Sequence, residues 1–138
     1  MFHWVEARAF AHATEDEEKV LAALKAVLPG EPKREALEGH YGNPLISLVV
    51  RAEKTADIRE FWRRLVAGLG REDVGRELEE RIDEDGVYHL RLDKQRAFLG
   101  EIARPTGSDV IDVRAKVAAF PNKRENAVRV VREFLEAL

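Results

Sequence analysis

Residues 2–12 read FHWVEARAFAH, and the alternation in this stretch decides the fold. Val5, Ala7, Ala9 and Ala11 fall on one side of an extended chain, with Trp4, Glu6, Arg8, Phe10 and His12 on the other. Successive side chains of a strand point to opposite faces, so the stretch predicts a strand with one buried face. The small residues on its inner side call for a helix packed close against it. That helix follows at once. Thr14 with Glu17 three residues on forms a capping box, and Val20, Leu21, Leu24, Val27 and Leu28 make an apolar stripe. Pro29-Gly30 stops it.

Further along, after a polar stretch and the segment EGHYGNP (38–44), comes the nearly unbroken apolar run LISLVVRA (45–52). Such a run reads as a strand buried on both faces, near the middle of the sheet. Thr55 opens a second helix with Ile58, Phe61, Trp62, Leu65, Val66 and Leu69 inward, ended by Gly68 and Gly70. A short helical stretch from Asp73 to Ile82 aligns Val74, Leu78 and Ile82. The turn at Asp85-Gly86 leads into VYHLRLD (87–93), then QRAFLGEIA (95–103), the turn RPTGSD (104–109) and VIDVRAKVAA (110–119), which together read as a three-strand meander. Asn122 and Glu125 make another capping box, and the last helix turns Ala127, Val128, Val131, Phe134, Leu135 and Leu138 inward. The order of elements predicts an α+β fold: a two-layer sandwich, with a mixed β-sheet and helices packed on one face, as a single domain over 1–138.

Composition narrows the function classes. The chain has 138 residues and no cysteine, so disulfides, thiol nucleophiles and thiolate metal sites are excluded. The start lacks a signal peptide's apolar block and no run of about 18 apolar residues occurs, which points to the cytoplasm and away from a membrane. Net charge is −3, unevenly spread: residues 1–85 carry 13 basic and 19 acidic side chains, residues 86–138 carry 10 and 7. A local basic field in the second half is compatible with an acidic total.

The residues name no catalytic site and no cofactor. His3 and His12 lie an odd number of positions apart on one strand, so they face opposite ways and cannot share a metal. His40 and His89 complete the set, and no pair has metal-site spacing. Ser47 lies within an apolar strand and Ser108 in a turn, neither in a nucleophile-elbow context. GLGRED (68–73) lacks the lysine and hydroxyl of a phosphate-binding loop, and DEDG (83–86) is a turn rather than a calcium loop.

Two features point toward binding. If helices cover one face of the sheet, the other displays Glu6 and Arg8, then His89, Arg91 and Asp93, then Asp112, Arg114 and Lys116, with Trp4 and Phe10 beside them. Cations there would meet phosphates and aromatics would stack on unpaired bases. Alternatively Asp93 and Asp112 pair the cations across strands and the face is merely solvated. The EGHYGNP turn offers His40 and Tyr41 beside a forced bend at Gly42 and Asn43-Pro44. It reads equally as a contact loop or as the entry to the next strand.

Taken together, AHATEDEEKV (11–20), EGHYGNP (38–44), YHLRLDKQRAFLGE (88–101) and VIDVRAKVAAFPNKREN (110–126) resemble one family, in the same order from about residue 2 to 136. It is the archaeal RNA-binding family described as predicted exosome subunits, with a fold similar to a large-subunit ribosomal protein. The resemblance implies the same α+β fold, RNA binding tied to RNA processing or degradation, and no catalytic residues. It directs attention to His40, Tyr41, Gly42 and Asn43, to Asp93, Lys94 and Gln95, and to Lys116, Lys123 and Arg124. The expectation is a non-enzymatic RNA-binding protein. Arg91, Lys94, Arg96, Arg114, Lys116, Lys123 and Arg124 would contact phosphates; His40, Tyr41 and Asn43 would meet RNA at the turn. RNA-processing proteins and a second copy of the chain stand as further partners, and the rival reading is an interaction module that uses the open sheet face without RNA.

Overall fold

The computed structural model describes residues 1–39 and 42–138. The chain runs β1 (Phe2–His12), α1 (Glu17–Val27), β2 (Lys33–Glu38), β3 (Pro44–Ala52), α2 (Thr55–Leu69), α3 (Arg71–Val74), α4 (Leu78–Arg81), β4 (Val87–Asp93), α5 (Lys94–Phe98), β5 (Val110–Val117) and α6 (Arg124–Ala137). One five-stranded sheet has the order β2-β3-β1-β5-β4. The expected two-layer α+β sandwich is what forms, and its sheet is antiparallel at every pairing rather than mixed.

β1 is the central strand. Its inward alanines sit opposite Val50 and Leu48 on one side, and Ala7 opposite Val113 on the other. Ala7 and Ala9 are fully buried, and their missing side-chain bulk lets the helical layer close down on the sheet. That layer is anchored on Trp62 of α2. Its ring stacks on Phe2 at 4.9 Å and meets Tyr88 edge-on at 5.2 Å and Phe134 at 6.0 Å, joining β1, β4, α2 and α6. Offset and edge-to-face pairs of this kind add about 0.5–1.5 kcal/mol each beyond their buried area.

Several local expectations are corrected. LISLVVRA lies near the middle of the sheet as expected, one strand from its centre, but it is not buried on both faces. Ser47 and Leu48 are buried, whereas Leu45 and Val49 on the outer face are half-buried and Arg51 is exposed. The polar stretch before it contains β2, an edge strand exposed at all six residues. QRAFLGEIA is not a strand. The Asp93 carboxylate accepts from the Arg96 amide at 2.9 Å and so caps α5, and the meander keeps only β4 and β5. Asp16, not Thr14, caps α1, accepting from the Glu18 amide at 3.0 Å. α6 starts at Arg124 with Lys123 at the capping position and no side-chain cap, so the Asn122–Glu125 box does not form. The stretch from Asp73 to Ile82 is two short helices, broken where Glu77 takes φ 55°. Gly70, at φ 91°, ends α2. Gly68 lies inside that helix, and a Cβ there would stand 2.5 Å from the Ile102 Cβ, so it serves close approach.

Candidate nucleic-acid interface

Strand register sets the outer face of the sheet. Residues directly opposite share a face, so Arg51, Glu6, Arg114 and His89 form one row across β3, β1, β5 and β4. Val49, Arg8, Asp112 and Arg91 form the next. The carboxylates sit between the guanidiniums. Glu6 lies 2.9 Å from Arg51 and 4.0 Å from Arg114, and Asp112 lies 3.8 Å from Arg8 and 3.3 Å from Arg91. Cross-strand pairing of cations with Asp112 is therefore present, as the solvated-face alternative required. Each of these two acids is nevertheless shared between two arginines, and the well-exposed Glu53 at 3.3 Å from Arg51 is the further carboxylate in contact. Four arginines thus retain net positive charge while being held in place.

The aromatics are tied into this lattice. Guanidiniums of Arg51 and Arg114 lie over the Trp4 ring at 4.8 and 5.6 Å, and that of Arg8 over the Phe10 ring at 5.2 Å. Such contacts orient a planar guanidinium that can itself stack on a base. Lys116, next in the row beside Trp4, donates to the Asp85 carbonyl. At the far edge His89 pairs with Asp83 at 2.8 Å. Burial pushes the Asp83 carboxyl up, but hydrogen bonds from the His89 ring and the Val87 and Asp85 amides outweigh it and hold the group below its ordinary value.

The expected site residues scatter. Arg91, Arg114 and Lys116 are on the outer face. Arg96 is bonded to Glu101 and borders the groove lined by Ala26, Arg64 and Ala67, on the helical side. Lys123 and Arg124 are exposed where α6 begins, and neither makes an ion pair among the described residues. Asn43 is exposed beside the β2–β3 turn, its carbonyl accepting from the Gly39 amide at 2.8 Å. His40 and Tyr41 lie outside the described residues.

Lys94 is a correction. It is only 3 % exposed, and its ammonium reaches the Phe10 carbonyl at 3.0 Å, Glu15 at 2.8 Å and Asp109 at 2.7 Å. Three donors have three acceptors, so none remains for a phosphate. The Asp109 carboxyl, pushed up by burial, is held below its usual value by bonds from Lys94 and Gln95. Lys94 is a knot joining the end of β1, the approach to α1 and the start of β5.

Two residues escape a reading of the sequence. Arg51 belongs to the outer face, and its alternation with Val49 and Ser47 is the signal that marks it. Phe120, 95 % exposed between β5 and α6, stands near Lys123 and Arg124 in the chain, and within FPNKREN nothing singles it out from its neighbours.

An open antiparallel sheet whose uncovered face carries an arginine–aromatic lattice is the architecture of a binding protein. The chain belongs to the family described as RNA binding, whose model matches residues 4–117. It is 43 % identical to the RNA-binding protein PAB1135 of Pyrococcus abyssi, over 97 % of this chain and 94 % of that one. Among solved structures it is similar to Mth689, a DUF54 protein from Methanothermobacter thermautotrophicus, at 40 % identity and a TM-score of 0.85, covering 98 % of each chain. Among the described residues no helix is long and apolar enough to cross a membrane.

Proposed function

We propose that this protein binds RNA without catalysing a reaction on it, and that the outer face of its sheet is the contact surface. The observation that supports this most is the lattice around Trp4, where arginines from β3 and β5 converge on one aromatic ring of the central strand. Phosphates would be met by Arg8, Arg51, Arg91 and Arg114, and bases by guanidinium planes and by the edges of Trp4 and Phe10. Lys116 would add a cation beside Trp4, and Lys123 and Arg124, with exposed Phe120, would add cations and an aromatic ring in the segment after β5. Asn43, His40 and Tyr41 would contribute at the β2–β3 turn. A role as an accessory of RNA processing or degradation, including attachment to an exosome, draws support from the family resemblance, as does the likeness to a ribosomal-protein fold.

The test is fluorescence anisotropy with short single-stranded RNA across a salt series. Four phosphate contacts give a log–log slope of roughly −3, and hence a loss of about 50-fold between 50 and 200 mM salt. Binding that ignores salt, or no binding at low salt, overturns the reading in favour of a protein-interaction module.

A further inference from the structure

We infer that the free edge of β2 is a self-association surface, through which two copies of this chain pair into one continuous sheet. β2 is unusual in that none of its six residues is buried on either face, so its ordering gains nothing from the core. Its inner edge is bonded to β3, and the hydrogen-bond phase is fixed by the Gly39 amide donating to the Asn43 carbonyl at 2.8 Å. Alternation along the strand then turns the backbone groups of Lys33, Glu35 and Leu37 toward β3 and those of Arg34, Ala36 and Glu38 outward. No backbone hydrogen bond engages these outward groups among the described residues.

A charged edge normally discourages pairing with foreign strands. Here the charges also select one partner. In an antiparallel pair centred on Ala36 facing its own copy, Arg34 lies directly opposite Glu38 of the second chain, and Glu38 opposite its Arg34. Each outward amide and carbonyl then finds a partner, and both ion pairs fall on the same face. Slipping the register to centre on Glu35 sets two carboxylates against each other, and centring on Leu37 carries Arg34 past the opposing Glu38. The small side chain of Ala36 leaves the two-fold axis uncrowded. The Arg34 guanidinium is already oriented by Glu17, with its Nε 3.0 Å from that carboxylate, which leaves its terminal nitrogens for Glu38 of the second copy. The two-fold axis runs perpendicular to the sheet, so both outer faces would lie on one side of it. This holds whatever those faces bind.

Sedimentation velocity tests it. Because strand pairing alone buries little area, the association is weak and the measurement runs up to about 200 µM protein. The wild type is expected to approach twice the mass of the 15.7 kDa chain as concentration rises. Ala36→Pro removes an outward amide that has no partner within the chain, so the fold survives by circular dichroism while the dimer does not form. Glu38→Arg is expected to sediment as a monomer, and adding Arg34→Glu to it to restore the dimer. A wild type that stays monomeric throughout, a folded Ala36→Pro variant that still dimerises, or a double variant no better than Glu38→Arg alone would overturn the proposal.

Discussion

Replacing Lys94 with methionine separates a structural lysine from an RNA contact. Methionine keeps most of the aliphatic stem and removes the charge, leaving Glu15 and Asp109 facing each other without the ammonium that joined them. Breaking a buried ion pair from one side costs about 3–5 kcal/mol. Asp109 is 45 % exposed and Glu15 24 %, so water screens part of the uncompensated charge, and a loss of about 2–4 kcal/mol is the better figure. For a domain of this size that corresponds to a fall in Tm of roughly 8–16 °C. Urea denaturation followed by circular dichroism should show a lower midpoint with an unchanged slope. RNA affinity below the transition should stay within about twofold of wild type, since under 0.5 kcal/mol of binding energy is at stake. A variant with unaltered stability and a steep loss of RNA affinity would refute the knot and return Lys94 to the phosphate contacts.

Packing and titration give three more expected outcomes. Gly68→Ala gains about 1 kcal/mol of helix propensity, yet its Cβ would stand 2.5 Å from the Ile102 Cβ and 2.9 Å from the Ile102 carbonyl; overpacking costs about 1–3 kcal/mol, so net destabilisation in urea is expected, and a stabilised variant would contradict the close approach. Asp83 and Asp109 both have folded pKa values below their ordinary ones, so their contribution is present above the unfolded carboxylate pKa and disappears as pH falls through the depressed folded value. Acid titration of Asp109→Asn should therefore show a flatter loss of stability below about pH 4 than wild type, and a parallel curve would argue against the linkage. Trp62→Ala removes the ring shared by Phe2, Tyr88 and Phe134 and should cost about 3–5 kcal/mol in the same urea assay, whereas a cost under about 1 kcal/mol would mean that the aromatic cluster is not the anchor of the helical layer.

What can be read from the chain depends on whether a segment buries one face. FHWVEARAFAH does, and its alternation places Val5, Ala7, Ala9 and Ala11 inward, whereas Phe2 reaches Trp62 in the core only through the register shift between Phe2 and Trp4. The stripes of α1, α2 and α6 are legible for the same reason as those four. β2 is invisible because KREALE is exposed on both faces and so has no hydrophobic pattern to betray it. QRAFLGEIA looks like a strand because Phe98, Leu99 and Ile102 are apolar, but Phe98 and Leu99 are exposed and the backbone follows the cap set by Asp93. The uniform antiparallel pairing is hidden because it depends on which strands become neighbours, and β1 takes β3 and β5 on either side.

The candidate site shows the same division. Alternation brings Glu6, Arg8, Arg91, Asp112 and Arg114 to one face. The convergence of Arg51 and Arg114 on Trp4 requires the register of three strands. Lys94 misleads because its partners at Phe10, Glu15 and Asp109 are remote in sequence, and a lysine beside an arginine-rich hairpin looks solvated until those segments meet.

Whether RNA meets the outer face of the sheet is decided by comparing two surfaces of the same molecule. Arg51→Gln/Arg114→Gln, on that face, is set against Arg96→Gln on the helical side, with single-stranded RNA binding measured over a salt series by anisotropy. Removing one phosphate contact should flatten the log–log slope by about 0.7, so the slope of the double variant should be shallower by about 1.4 and that of the Arg96 variant unchanged. Equal slopes for wild type and the double variant, or a flattening confined to Arg96→Gln, would place the RNA elsewhere on the protein.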